Sequence, residues 1–193
     1  VEVRLEGAPP LELTPELAAG LVPGQLLEPE RLRELRLQSD TVRALERGLR
    51  LVAVRPRSRA EVAGRLERAG IDPRAVESAI LRMEHGGLLD DALFARWWVQ
   101  DRCANRPRSR RALACELATR GVPRAVIEAA LGGIEDQQTA MELALDRAPR
   151  LAGLDRPAFD ARLGAWLGRR GFSESVIRHA LEASWRRATE DTR

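Results

Sequence analysis

The stretch Arg55-Pro56-Arg57-Ser58-Arg59 decides the fold, because it returns as Arg106-Pro107-Arg108-Ser109-Arg110, 51 positions later (55 to 106). Carried forward without gaps, the offset pairs Val62 with Leu113, Leu66 with Leu117, Gly70 with Gly121, Val76 with Ile127 and Ile80 with Leu131. A further shift of 50 (113 to 163) reaches Leu163, Leu167, Gly171, Ile177 and Leu181, a third and more divergent copy. Self-similarity at such a period marks stacked supersecondary units. The chain therefore reads as three units, 40–89, 90–135 and 136–187, with residues 188–193 as a tail.

Each unit reads as three short helices. Val42, Leu45, Leu49 and Val52 follow helical spacing, and Arg55-Pro56 ends that helix because proline disfavours the α conformation in its predecessor. Ser58 opens the next helix with Glu61 three residues on, a capping box in which each side chain satisfies the other residue's exposed amide. Gly70 supplies a left-handed terminator. Asp72-Pro73 starts the third helix, whose apolar residues Val76, Ile80 and Met83 run until Gly86-Gly87 breaks it. One such unit has little core of its own, so neighbouring units bury faces against each other. The expected architecture is all-α, a curved tandem array of three three-helix repeats.

Residues 1–38 differ. Val1, Val3 and Leu5 alternate with polar residues, Pro9-Pro10 interrupts, and Leu11 and Leu13 resume the alternation, the pattern of a small β-hairpin. Thr14-Pro15-Glu16 offers a helix start, and Gly20 and Pro23-Gly24 stop and turn the chain. This accessory segment, a hairpin plus short helices, carries no functional assignment beyond docking or stabilisation.

Hydrophobic residues make up 44% of the 193 and charged residues 32%, which excludes wholesale disorder. A net charge of +3 is too small to demonstrate nucleic-acid binding, so the distribution of charge matters more. Every basic residue is arginine. Genome composition produces such a bias, but guanidinium groups also pair bidentately with phosphates and carboxylates. No apolar run approaches the ~20 residues that cross a bilayer. The first four residues lack a signal-peptide pattern, and two cysteines, Cys103 and Cys115, fit a reducing compartment. A cytoplasmic monomer is expected.

The candidate contact residues are Arg55, Arg57 and Arg59 in the first arginine turn, and Arg106, Arg108, Arg110 and Arg111 in the second. One reading makes them solvated charges or cations at the carboxyl ends of preceding helices. The other makes them, with the following helix start, a surface for phosphates or acidic side chains. Phe94, Trp97 and Trp98 share a helical face, either as core or, for Trp97 and Trp98, as an aromatic contact platform. Trp166 and Trp185 read as isolated core residues. His85, Cys103, Cys115 and His179 lack paired ligand spacing, so no metal or cofactor is expected. Adjacent Asp90 and Asp91 read as caps at the start of the second unit, and no catalytic constellation emerges. The chain reads as a binder, not an enzyme.

Assembled, these residues resemble the RecX family over about residues 40–187. The resemblance is carried by Arg55-Pro56-Arg57-Ser58, then Gly86-Gly87-Leu88-Leu89-Asp90-Asp91 with Phe94-Ala95, then Arg106-Pro107-Arg108-Ser109 leading to Leu117 and Gly121-Val122. It implies a regulator that binds the groove of the RecA filament on single-stranded DNA and modulates, mainly by inhibition, its growth, ATP hydrolysis, strand exchange and coprotease activity. Homologous recombination, DNA repair and the SOS response are the implied setting. The third unit departs from the pattern: Leu154-Asp155-Arg156-Pro157-Ala158-Phe159 replaces the triple-arginine turn, so its basic contact comes from elsewhere, Arg169-Arg170 or Arg186-Arg187. Two other classes compete. A direct DNA-binding module predicts tight, salt-dependent binding of single-stranded or duplex DNA without recombinase, and a helical-repeat scaffold predicts neither.

Overall fold

The structure is a computed structural model that describes residues 1–190, side chains 188–190 excepted. Its described residues form ten α-helices and one two-stranded sheet. They divide into two compact units, Val1–Asp91 and a second beginning at Ala92.

In the first unit, strands β1 (Glu2–Leu5) and β2 (Ala8–Glu12) pair antiparallel about Gly7, with Val3 opposite Leu11. Pro9-Pro10 lie inside β2 rather than interrupting it. A two-stranded ribbon is all edge, so residues without an N–H are tolerated. Thr14 caps the short helix α1 (Pro15–Ala18), accepting from the amide of Leu17. Leu11 and Leu13 then bury against Leu35 of α2 (Pro29–Val54). Helix α2 runs 26 residues, so the boundary expected after residue 38 falls inside a continuous helix. Its first turns hold the hairpin, and the Ser39 hydroxyl donates to the carbonyl of Glu12. Its later turns belong to the first repeat.

That repeat is completed by α3 (Arg59–Arg68) and α4 (Pro73–His85). Ser58 and Glu61 form the expected capping box, Gly70 takes φ 78°, and Asp72 caps α4. Val62, Leu66, Val76, Ile80 and Met83 fill the core against Ala44. Gly48 lets Met83 in: a Cβ there would lie 2.7 Å from the Met83 sulfur. Truncating such a buried side chain to Ala costs roughly 2–5 kcal/mol.

The second unit carries the other two repeats. Helix α5 (Asp91–Asn105), which starts at the boundary, packs with α6 (Arg110–Thr119) and α7 (Arg124–Ala130) around Phe94, Trp98, Leu113, Leu117 and Leu131. The third repeat is α8 (Asp136–Arg147), a 3-10 turn (Ala148–Leu151), α9 (Arg156–Gly168) and α10 (Glu174–Glu190), around Phe159, Leu163, Leu167 and Phe172. The first three residues of the expected tail thus extend α10, and 191–193 lie outside the described residues. Helix α9 starts at the position equivalent to Arg106, because Asp155 caps it and Pro157 suits a first turn. An extra helical turn stands where the second repeat has its arginine turn.

The second and third repeats lock together at one point. The amide of Ser109 donates to the carbonyl of Arg170 at 3.0 Å. Gly171, at φ 88°, presses against the start of α6: a Cβ there would lie 2.7 Å from Ser109 Oγ and 2.8 Å from the Ala112 Cβ. Glycine is required at this position both by conformation and by space.

Candidate arginine-rich binding surface

The two arginine turns share a sequence but not an environment. The third arginine of each does the same work. Arg59 pairs with Glu77 at 2.6 Å, and Arg110 pairs with Glu128 at 3.1 Å. Both acids sit 18 residues downstream. The backbone amides of Arg59 and Arg110 donate to the carboxylates of Asp91 and Asp136 at 2.8 and 2.6 Å. Each helix start is therefore capped by the first residue of the next repeat's first helix. Asp91, expected as a cap of its own unit, turns back onto the preceding helix. Burial raises its carboxyl above the ordinary range, against the lowering effects of the Arg59 amide and guanidinium.

The first arginines diverge. Arg55 pairs with Glu61 at 3.0 Å and donates to the Pro56 carbonyl. Ala112 replaces that acid in the second repeat, and Arg106 is exposed with no ion pair among the described residues. Exposed Arg111 likewise has none.

The second arginines diverge further. Arg57 is buried, and its Nε donates to the carbonyl of Leu51 at 2.9 Å, satisfying the carboxyl end of α2. Burial lowers its pKa, and neighbouring Arg55 and Arg65 lower it further. Arg108 instead turns outward to Glu116 at 3.2 Å.

Glu116 is a hub. It also accepts from Arg102 at 2.9 Å and from the indole N–H of Trp98 at 2.9 Å. The guanidinium groups of Arg102 and Arg120 lie over the Trp98 ring, 4.0 and 3.7 Å from its centroid. Trp98 is buried and packs on Phe94, so it belongs to the core. Half-buried Trp97 instead lines a shallow, mainly apolar cleft of about 850 Å³ with exposed Leu93 and Cys103 and half-buried Ile134.

An equivalent stack occurs in the third repeat. Arg102 and Arg147 are equivalent, as are Asp91 and Asp136, 45 positions apart (102 to 147, 91 to 136). Arg120 and Arg170 are equivalent by the 50-residue shift (120 to 170). The tryptophan has changed helix: Leu143 stands in place of Trp98, and Trp166 in place of Glu116. Arg170 and Arg147 lie over the Trp166 ring at 3.6 and 4.9 Å. Trp166, expected as an isolated core residue, is half-buried and carries this pair. The signal that could have found the stack is the pair of offsets, 45 for the first helix and 50 for the second.

No described helix is long and apolar enough to cross a membrane. The geometry describes a protein of three tandem helical repeats, with exposed arginines in all three. The comparisons with known proteins agree in order and extent. The family profiles for the first, second and third three-helix domains of RecX match residues 44–83, 90–131 and 134–181. Regulatory protein RecX of Streptomyces lividans is 39% identical over 141 residues, covering 69% of this chain and 75% of that protein. A crystal structure of regulatory protein RecX superposes with a TM-score of 0.70 at 18% identity, covering 91% of this chain and 88% of the other. The crystal structure of RecX from Lactobacillus salivarius gives 0.66 at 19% identity, covering 75% and 96%. This chain belongs to the RecX family.

Proposed function

We propose that this protein binds the RecA recombinase filament on single-stranded DNA and restrains its growth, ATP hydrolysis, strand exchange and coprotease activity. It acts in the cytoplasm as a monomeric binder, within homologous recombination, DNA repair and the SOS response. One observation carries the reading: all three helical units match, in order, the three domains of a regulatory family. The physical arrangement supports it. A tandem of similar units suits a partner that repeats along a line, because each added contact is made at high effective concentration. Unpaired arginines at Arg106 and Arg111 supply charge to such a surface.

The test is RecA ATP hydrolysis on single-stranded DNA, titrated with this protein below equimolar ratios. A progressive fall is expected. An unchanged rate at equimolar protein would defeat the proposal.

A further inference from the structure

The arginine stacks of the second and third repeats differ in one respect that bears on ligand binding. In the second, the protein supplies its own anion, since Glu116 accepts from Arg102, Arg108 and Trp98. In the third, Trp166 occupies the position of that carboxylate. None of Arg147, Arg169 and Arg170 has an ion-pair partner among the described residues. The Ser109–Arg170 backbone bond brings Arg108, itself paired with Glu116, beside them. The Nε of Arg170 is buried without a hydrogen-bond partner, and burial together with Arg147, Arg108 and Arg169 lowers the guanidinium pKa. Like charges held together on a rigid aromatic support favour an external anion.

We propose that Arg147, Arg169 and Arg170, beside Arg108 at the junction of the second and third repeats, form a binding site for the phosphodiester backbone of single-stranded nucleic acid. Crowded guanidinium groups pair bidentately with phosphate oxygens. A strand presents successive negative charges that engage several guanidinium groups at once. Trp166 is the floor: it holds Arg170 and Arg147 by cation–π contact and costs them no counter-ion. The assignment deepens the filament reading, because it gives a regulator of a DNA-bound filament its own contact with the strand.

The experiment is fluorescence anisotropy of a labelled oligothymidylate, titrated over a range of salt with the full chain and no recombinase. Arg147→Ala/Arg169→Ala should weaken binding at moderate salt about tenfold or more and reduce the salt slope by about 1 to 1.5, since each phosphate contact on a single strand contributes about 0.7. Exposed Arg169→Glu is the variant least able to disturb the fold, and it should weaken binding in the same direction. Arg178→Ala, on α10 and paired with Glu174, should leave affinity unchanged. Wild-type affinity and slope in both site variants would overturn the assignment. So would a wild-type protein that ignores the oligonucleotide while the double variant loses its effect on RecA ATP hydrolysis, because the site would then face an acidic protein surface. Loss of oligonucleotide binding in a protein that never affected ATP hydrolysis would sustain the site and defeat the filament reading alone.

Discussion

Arg55–Arg59 and Arg106–Arg110 spell the same five residues, yet the first turn spends all three arginines on the fold and the second leaves Arg106 to solvent. In the first, Glu61 holds Arg55, the end of α2 takes Arg57, and Glu77 takes Arg59. In the second, only the third arginine keeps its partner by repetition, while Arg106 is exposed and Arg108 pairs with Glu116 of its own repeat. The difference comes from residues outside the motif: Ala112 stands where the first repeat has Glu61, and Glu116 stands where it has Arg65. A repeated motif therefore identifies a repeated fold before it identifies a repeated contact.

The strongest way to break this contrast is at the glycines that follow each second helix. Gly171→Ala should destabilise the protein by about 3 kcal/mol in urea unfolding, because it combines left-handed strain with overpacking against Ser109 and Ala112. Gly70→Ala has the strain but nothing within 4 Å, so about 1 kcal/mol is expected. Equal costs would mean that the second and third repeats are not joined at this point.

The contrast sharpens between the buried arginine of the first turn and the exposed arginine of the second. Arg57→Ala removes a charged donor from a buried helix end and should cost about 1.5 kcal/mol, whereas Arg106→Ala should cost under about 0.5 kcal/mol in the same thermal or urea assay. Comparable losses would place both arginines in the fold and withdraw Arg106 from the binding surface.

The smallest effects concern the caps that the two turns share. Asp91→Ala and Asp136→Ala should each cost about 1 kcal/mol, the usual worth of a helix cap. Asp91→Asn keeps an acceptor for the Arg59 amide and removes the charge. Because burial raises the Asp91 pKa above 3.8, its contribution to stability is fully present below that value and is lost as the pH rises through the folded-state pKa. The asparagine variant should therefore gain on the wild type as the pH rises above 3.8 in paired unfolding curves. A gain of opposite sign would show that the Arg59 contacts outweigh burial.

Much of the fold was legible because its signals are local. Ser58 with Glu61, Asp72-Pro73 and the glycines after each second helix act within a few residues, and their recurrence fixed three helices in each of three units. The reach of α2 was not legible, since residues 29–38 carry no break and their docking partner is the hairpin. Half of the candidate surface was also hidden. The seven arginines of the two turns were visible as a motif, but which of them are neutralised depends on Glu61, Glu77, Leu51 and Glu116, brought together only by packing. Asp91 and Asp136 cap backward across a repeat, and a local reading assigns such residues to their own helix. The pairing of Arg147 and Arg170 on Trp166 is legible only when two different offsets, 45 for the first helix and 50 for the second, are applied at once.

Co-sedimentation with RecA filaments, preassembled on single-stranded DNA and held by a non-hydrolysable ATP analogue, tests directly whether this chain engages the recombinase filament as proposed. The protein should pellet with the filaments in a saturable manner and stay in solution without them. Protein that remains in the supernatant at every filament concentration would contradict the proposal.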